Sequence, residues 1–247
     1  MSKFDSVVSR RESWGRIVYD PESDEFEGHL SGDASGVSIS EPISAGCLVT
    51  GKCDLKCAFC YGNHESLPKE NLSVDGWKAV FQQLRSWGLM RVDLSGGEPT
   101  VRQDLFQIAQ AAVDAKLNVV ISTNGRLLSE KGPIDYPPVR WHVSMDSGFA
   151  EVHEASRVLH TLRPSGGGFE KTSNFIKKCH SQGLTVRVMT CLGRHNTGGL
   201  FALGEHLALL GVKEWNISRI LRAGRAQFGY EEHFLIRTYL INTFSAG

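Results

Sequence analysis

Cys53-Asp54-Leu55-Lys56-Cys57-Ala58-Phe59-Cys60-Tyr61 sets three cysteines at CxxxCxxC spacing, with an aromatic residue directly before the last. Residues 1–11 lack the apolar core of a secretory signal, so the cluster of thiols points to metal rather than to disulfides. Two uses compete. A structural zinc needs four ligands, and His64, four positions after Cys60, offers a Cys3His set. The other use is an iron–sulfur cluster held by thiolates. A cubane cluster on three cysteines keeps one iron open to a substrate or cofactor.

The surrounding chain reads as a parallel α/β sheet. Residues 47–50 form a strand that runs straight into the cysteines. Further strands are expected at 91–95, 119–123, 139–145, 184–192 and 214–221, with helices at 72–87, 169–182 and 200–210 and another around Leu105–Ala112. Ser73 suits a helix N-cap, and Val74, Trp77, Val80, Phe81, Leu84 and Trp87 share one helical face. Ile176 and Cys179 mark another apolar face, which makes Cys179 a buried, inert thiol.

Side chains alternate across a strand, so parity separates two surfaces. Val92, Leu94, Val119, Ile121, Trp141, Val143, Met145, Val186 and Val188 form the apolar one. Asp93, Ser95, Ser122, Asn124, His142, Ser144, Asp146, Arg187, Met189, Cys191, Asn216 and Ser218 form a mostly polar one. A polar lumen implies a cavity that holds something. In such folds ligands gather at the carboxyl ends of strands. Gly96-Gly97-Glu98-Pro99, Asn124 and Asp146 all fall at such ends, beside the cysteine loop. The two glycines let backbone groups approach a ligand closely.

The cysteine pattern with Phe59, followed by Gly96-Gly97-Glu98-Pro99, resembles the radical SAM superfamily over residues 43–222. That resemblance implies a partial (β/α)6 barrel, with residues 1–42 as an N-terminal extension and linker and 223–247 as a short helical tail. It implies a 4Fe-4S cluster on Cys53, Cys57 and Cys60, and S-adenosylmethionine (SAM) bound by Phe59, Gly96, Gly97, Glu98, Pro99, Ser122, Asn124, Ser144, Asp146 and Arg157. In that family the Gly-Gly-Glu-Pro segment meets the SAM amino group, to which Glu98 adds a carboxylate. Phe59 lies against the adenine. His153 and Arg157 have the spacing of a pair in peptide-modifying members, in which the arginine clamps the SAM carboxylate; Arg163 competes with Arg157 for that role. The implied chemistry is reductive cleavage of SAM to a 5′-deoxyadenosyl radical that abstracts hydrogen. It also implies an external electron donor such as flavodoxin or ferredoxin.

Lys and Arg total 27, as do Asp and Glu, so no polyanion-binding surface is indicated and nucleic acid is not an expected partner. No apolar run is long enough for a membrane span, and six cysteines without a disulfide framework suit a cytoplasmic protein. Trp14–Tyr19 and Glu25–Leu30 read as a hairpin around a turn at 20–24, either covering one barrel end or receiving a peptide by strand addition. Residues 31–45 read as a Gly- and Ser-rich linker. The substrate stays open between a ribosomally made peptide and a small molecule or nucleotide, as in viperin-like enzymes. A non-enzymatic zinc or iron–sulfur module is the reading from another class. Residues after Cys191 contain no cysteine for the auxiliary clusters of many peptide-modifying members. Gly224-Arg225-Ala226 resembles the segment that leads into that extra domain.

Overall fold

The computed structural model describes residues 7–32, 38–62, 72–133, 138–159 and 166–228. Its main layer is an all-parallel sheet of six strands in sequence order: β4 (Ser44–Thr50), β5 (Arg91–Gly96), β6 (Asn118–Thr123), β7 (Arg140–Ser144), β8 (Val186–Leu192) and β9 (Glu214–Arg219). Each step along the sheet is a crossover. Helices α1 (Val74–Ser86), α2 (Leu105–Asp114), α3 (Ala150–Ser156), α4 (Gly168–Ser181) and α5 (Leu200–Leu209) accompany four of the five crossovers. The expected α/β partial barrel is therefore the observed one, an open sheet with β4 and β9 at its edges.

The apolar parity packs as expected. Val92, Leu94, Val119, Ile121, Trp141, Val143 and Val188 are buried against the helices, with Cys47 and Cys179 in the same core. Each large aliphatic or aromatic side chain so buried contributes about 1.5–3 kcal/mol. Helix α1 starts at Ser73, whose Oγ accepts from Gly76 N at 3.2 Å. It buries Trp77 and Phe81. Trp87 departs from expectation: it sits at the C-cap and is 47% exposed, because the helix ends before it can turn onto the core face. Helix α3 carries no long apolar stripe and was not readable as a helix.

The N-terminal extension forms a three-stranded antiparallel sheet of β1 (Val8–Glu12), β2 (Gly15–Asp20) and β3 (Glu25–Leu30). Ile17, Tyr19 and Met90 form its small core. Its β2–β3 turn plugs the amino-terminal end of the barrel. Asp24, in a left-handed conformation at φ 58°, sends its carboxylate inward. There it accepts from Tyr19 Oη at 2.8 Å and Arg187 Nη1 at 3.0 Å, and lies 3.3 Å from Arg91 Nε and 3.2 Å from His142 Nε2. Arg140 and Arg187 also donate to the carbonyls of Glu22 and Ser23, at 2.7 and 2.8 Å, and both pair with Glu214. Ser122 Oγ donates to Asp93 at 2.9 Å in the next layer. The polar lumen is thus of two kinds. Its lower half, Asp93, His142 and Arg187, serves the plug, and only its upper half is open to a ligand. Burial alone would raise the Asp24 carboxyl; His142 and Arg91 instead hold it below the usual carboxylate range.

Residues 38–42 are stitched down rather than slack. Trp14 Nε1 donates to Ser38 O at 2.6 Å, Arg10 donates to the carbonyls of Glu41 and Pro42 at 2.6 and 3.0 Å, and Ser40 N donates to Glu12 at 3.1 Å. No helix among the described residues is long and apolar enough to cross a membrane. The expected helix in residues 230–247 lies outside the described residues.

Candidate active site

The carboxyl ends of β4 to β8 surround a cavity of about 590 Å³, within the usual range for ligand pockets. Cys53, Cys57 and Cys60 line it together, as do Phe59, Gly96, Gly97, Glu98, Ser122, Asn124, Ser144 and Arg157. Residues from five separate segments therefore meet at one place.

The cysteine loop follows β4 without regular structure, so tertiary bonds have to fix it. Asp54 accepts from Asn124 Nδ2 at 2.8 Å and from Arg126 Nη1 at 2.6 Å. Lys56 N donates to Val158 O at 2.7 Å, beside a bridge between Leu55 and Leu159. That bridge also sets the position of Arg157, one residue before Val158. Gly97 N and Glu98 N donate to the carbonyls of Thr50 and Lys52 at 2.9 and 2.8 Å. A Cβ on Gly96 (φ 145°) would collide with Thr50 O, and one on Gly97 with Lys52 O. The glycine pair is thus required by contact between the end of β5 and the cysteine loop, in addition to any ligand.

Glu98 lines the cavity and is held there by its neighbours. Its carboxylate accepts from Thr100 N, Thr100 Oγ1, Thr123 Oγ1 and Asn124 N, at 3.1, 2.6, 2.7 and 2.7 Å. These bonds tie it to the end of β6. Burial pushes its pKa up, against the three neighbours that favour the carboxylate. Asp146 stands behind the cavity wall. Fully buried and not a wall residue of the cavity, it accepts from Arg157 Nε at 2.7 Å and Cys191 N at 3.0 Å. Pro99 is buried behind the wall as the first residue of a 3-10 turn. Ser122 lines the cavity but spends its hydroxyl proton on Asp93.

Arg157 lies with its guanidinium carbon 5.3 Å from the centre of the Phe59 ring, a cation–π contact. Behind it, His153 Nδ1 accepts from Asp146 N at 3.3 Å. Burial and the Arg157 charge push the His153 pKa down to about 4, so this imidazole is neutral. Arg163 lies outside the described residues, as does His64. Sequence reasoning missed Lys52, Thr123 and Arg225 as wall residues, while Cys191, on the polar parity, does line the cavity. Gly224-Arg225-Ala226, noted there as a linking segment, was the signal available for Arg225.

Burial pushes the Cys57 thiol up to about 11 and the Cys53 thiol up to about 12. Metal binding at these sulfurs would displace protons. Among the described residues no three His, Cys, Asp or Glu side chains converge on a single ion position. A cubane asks for something else: each thiolate takes a different iron, so the sulfurs surround a volume. Three cavity-facing thiols, a wall without side chains at Gly96 and Gly97, and a buried guanidinium suit a three-thiolate cluster with a small zwitterionic ligand beside it.

The Radical SAM superfamily profile matches residues 47–198. An AdoMet-dependent heme synthase of Methanosarcina barkeri is 30% identical over 181 residues, covering 72% of this chain and 50% of that protein. The sporulation killing factor maturation protein SkfB of Bacillus subtilis is 28% identical over 211 residues, covering 82% of this chain and 48% of its own length. The chain thus spans about half the length of these curated relatives. Streptococcus suis SuiB, solved bound to its precursor peptide SuiA, has the same fold with a TM-score of 0.70 at 14% identity, covering 90% of this chain and 63% of that one. With more than half of its residues inside the matched profile, this chain belongs to the radical SAM superfamily, whose enzymes use a 4Fe-4S cluster and SAM.

Proposed function

We propose that Cys53, Cys57 and Cys60 hold a 4Fe-4S cluster and that the chain binds SAM against it to modify a peptide. The observation that carries this reading is the meeting of the three thiols, Gly96-Gly97 and Arg157 on one cavity. When bound, the cluster supplies one electron to the SAM sulfonium, yielding methionine and a 5′-deoxyadenosyl radical that takes a hydrogen atom from the substrate. The chain's own residues position and shield. Backbone carbonyls of Gly96 and Gly97 and the Glu98 carboxylate, held in place by Thr100, Thr123 and Asn124, would receive the SAM ammonium. Arg157, oriented by Asp146, offers its remaining guanidinium edge to the SAM carboxylate. Asn124 and Ser144 offer hydrogen bonds to the ribose. Phe59 covers the adenine and, with Leu55, keeps water from the reacting atoms.

A peptide substrate is supported by the likeness to SkfB, named as a maturation protein, across most of the chain. It is supported also by the His153/Arg157 spacing, now seen to put Arg157 on the cavity wall. A small-molecule substrate is the second reading, favoured by the likeness to a heme synthase. A flavodoxin- or ferredoxin-type donor would supply the electron in either case.

The test is anaerobic purification, reconstitution with iron and sulfide, and assay for 5′-deoxyadenosine with SAM and dithionite. A cluster with SAM cleavage in the wild type, both lost in Cys57→Ala, is expected. SAM cleavage that survives in Cys57→Ala, or a reconstituted protein that holds only zinc, would overturn the reading.

A further inference from the structure

The segment that follows β9 closes back onto the cysteine loop. Gly224–Gln227 forms a short 3-10 turn, and three consecutive residues of it meet the loop. Gly224, at φ 56°, lies so close to Tyr61 that a Cβ there would collide with the Tyr61 carbonyl. Arg225 Nε donates to Cys57 O at 3.0 Å, and its side chain lines the same cavity as the three thiols. Ala226 N donates to Cys60 O at 3.3 Å, and its methyl is fully buried among Leu55, Cys57, Phe59 and Ile220. The backbones of Cys57, Cys60 and Tyr61 are thus gripped from a point over 160 residues later in the chain. Backbone anchors at Asp54 and Lys56 fall before Cys57. After Cys57 this segment holds the backbone, alongside the contacts of the Phe59 ring with Arg157 and His195.

We infer that Gly224-Arg225-Ala226 is a latch on the cluster-binding loop, in which Arg225 is a positioning residue that fixes the Cys57 backbone and sets a permanent cation beside the cluster. The inference rests on the proposed reading of the loop as a cluster site. A cluster on three thiolates carries net negative charge, and reduction adds more. A guanidinium inside the same cavity, where screening is weak, favours the reduced state. Hydrogen bonding to a ligand's own backbone is the kind of outer contact that governs metal retention.

Charge and grip are separable by substitution. Gln keeps a donor and loses the charge. Lys keeps the charge as a point on a flexible stem but cannot reproduce a planar fork that bonds Cys57 O and faces the cavity at once. Full-length wild type, Arg225→Gln, Arg225→Lys and Gly224→Ala are reconstituted without oxygen. Two readouts follow: the rate of iron loss to a chelator, and the cluster midpoint potential from a titration monitored by electron paramagnetic resonance. Arg225→Gln is expected to shift the midpoint to more negative values and to lose iron about 10-fold faster or more. Arg225→Lys is expected to restore the midpoint but not the retention. Gly224→Ala is expected to lose iron faster with its arginine still present. Circular dichroism of the unreconstituted proteins checks folding; should Arg225→Gln fail that check, Arg225→Lys and Gly224→Ala decide on retention. Variants that match wild type in both readouts would overturn the latch while leaving the cluster reading intact. A wild type that takes up no cluster would overturn that reading, and the latch with it.

Discussion

Among the described residues, Asp24 is the one carboxylate that faces Arg91, His142 and Arg187 together, and it also accepts the Tyr19 hydroxyl. Removing it strands cations that are mostly shielded from water. Asp24→Ala is therefore expected to destabilise the protein by about 3 kcal/mol or more, read as a lower denaturant midpoint. A change within the noise of surface substitutions would mean that Arg91 and Arg187 find water or Glu214 instead. His153 gives a second test at this scale. Its folded pKa is depressed, so the fold prefers the neutral ring. The associated stability is fully present above the unfolded value near 6.5 and is lost as pH falls towards about 4. The full span is on the order of 3 kcal/mol. Thermal midpoints should drop between those pH values in the wild type and drop less in His153→Gln, whose side-chain oxygen can still accept from Asp146 N. Equal slopes in the two proteins would place the acid sensitivity elsewhere.

At the scale of elements, β5 and the cysteine loop are joined through two glycines that leave no room for a side chain. Gly97→Ala is expected to push Lys52 and Cys53 of the loop away from the end of β5 and to abolish stable cluster binding, measured as iron per chain after reconstitution, while far-ultraviolet circular dichroism stays close to wild type. A variant that kept full iron would show that the loop can shift without cost to its thiols. Much of this was legible beforehand, for physical reasons. Strand parity separated Val92 and Leu94 from Asp93 and Ser95 because every second side chain shares a face. Strand ends predicted which loops converge, and they did. What parity could not tell was how the polar face divides. His142 and Ser144 share it, yet one meets the Asp24 plug and the other the cavity, since depth along the lumen depends on the stagger of neighbouring strands. The support of Glu98 was hidden for a related reason: Thr100 and Thr123, whose hydroxyls donate to its carboxylate, belong to no motif that a sequence reader would weigh. The pairing of Asp146 with Arg157, eleven residues on, was likewise not legible from strand ends.

For the whole molecule, the question is whether the N-terminal sheet and the barrel form one cooperative unit. The sheet's own buried apolar side chains are few, Ile17 and Tyr19, and they are completed by Met90 and Ile43 of the barrel. Its attachment is polar and deep: the turn at Asp24 enters the barrel end, Arg140 and Arg187 hold the carbonyls of Glu22 and Ser23, and Arg10 and Trp14 fasten residues 38–42 alongside. The barrel in turn carries Arg91, His142 and Arg187 around a position that only Asp24 fills. Each part therefore satisfies groups that the other would leave stranded, which predicts that neither opens alone. Native-state hydrogen exchange should show amides of β2 protected to within about 1 kcal/mol of those of β5, both exchanging through global unfolding. In Asp24→Ala the coupling is cut at its centre, and β2 amides should then exchange well before β5. Early exchange of β2 already in the wild type would make the sheet an independently opening cover over the barrel end.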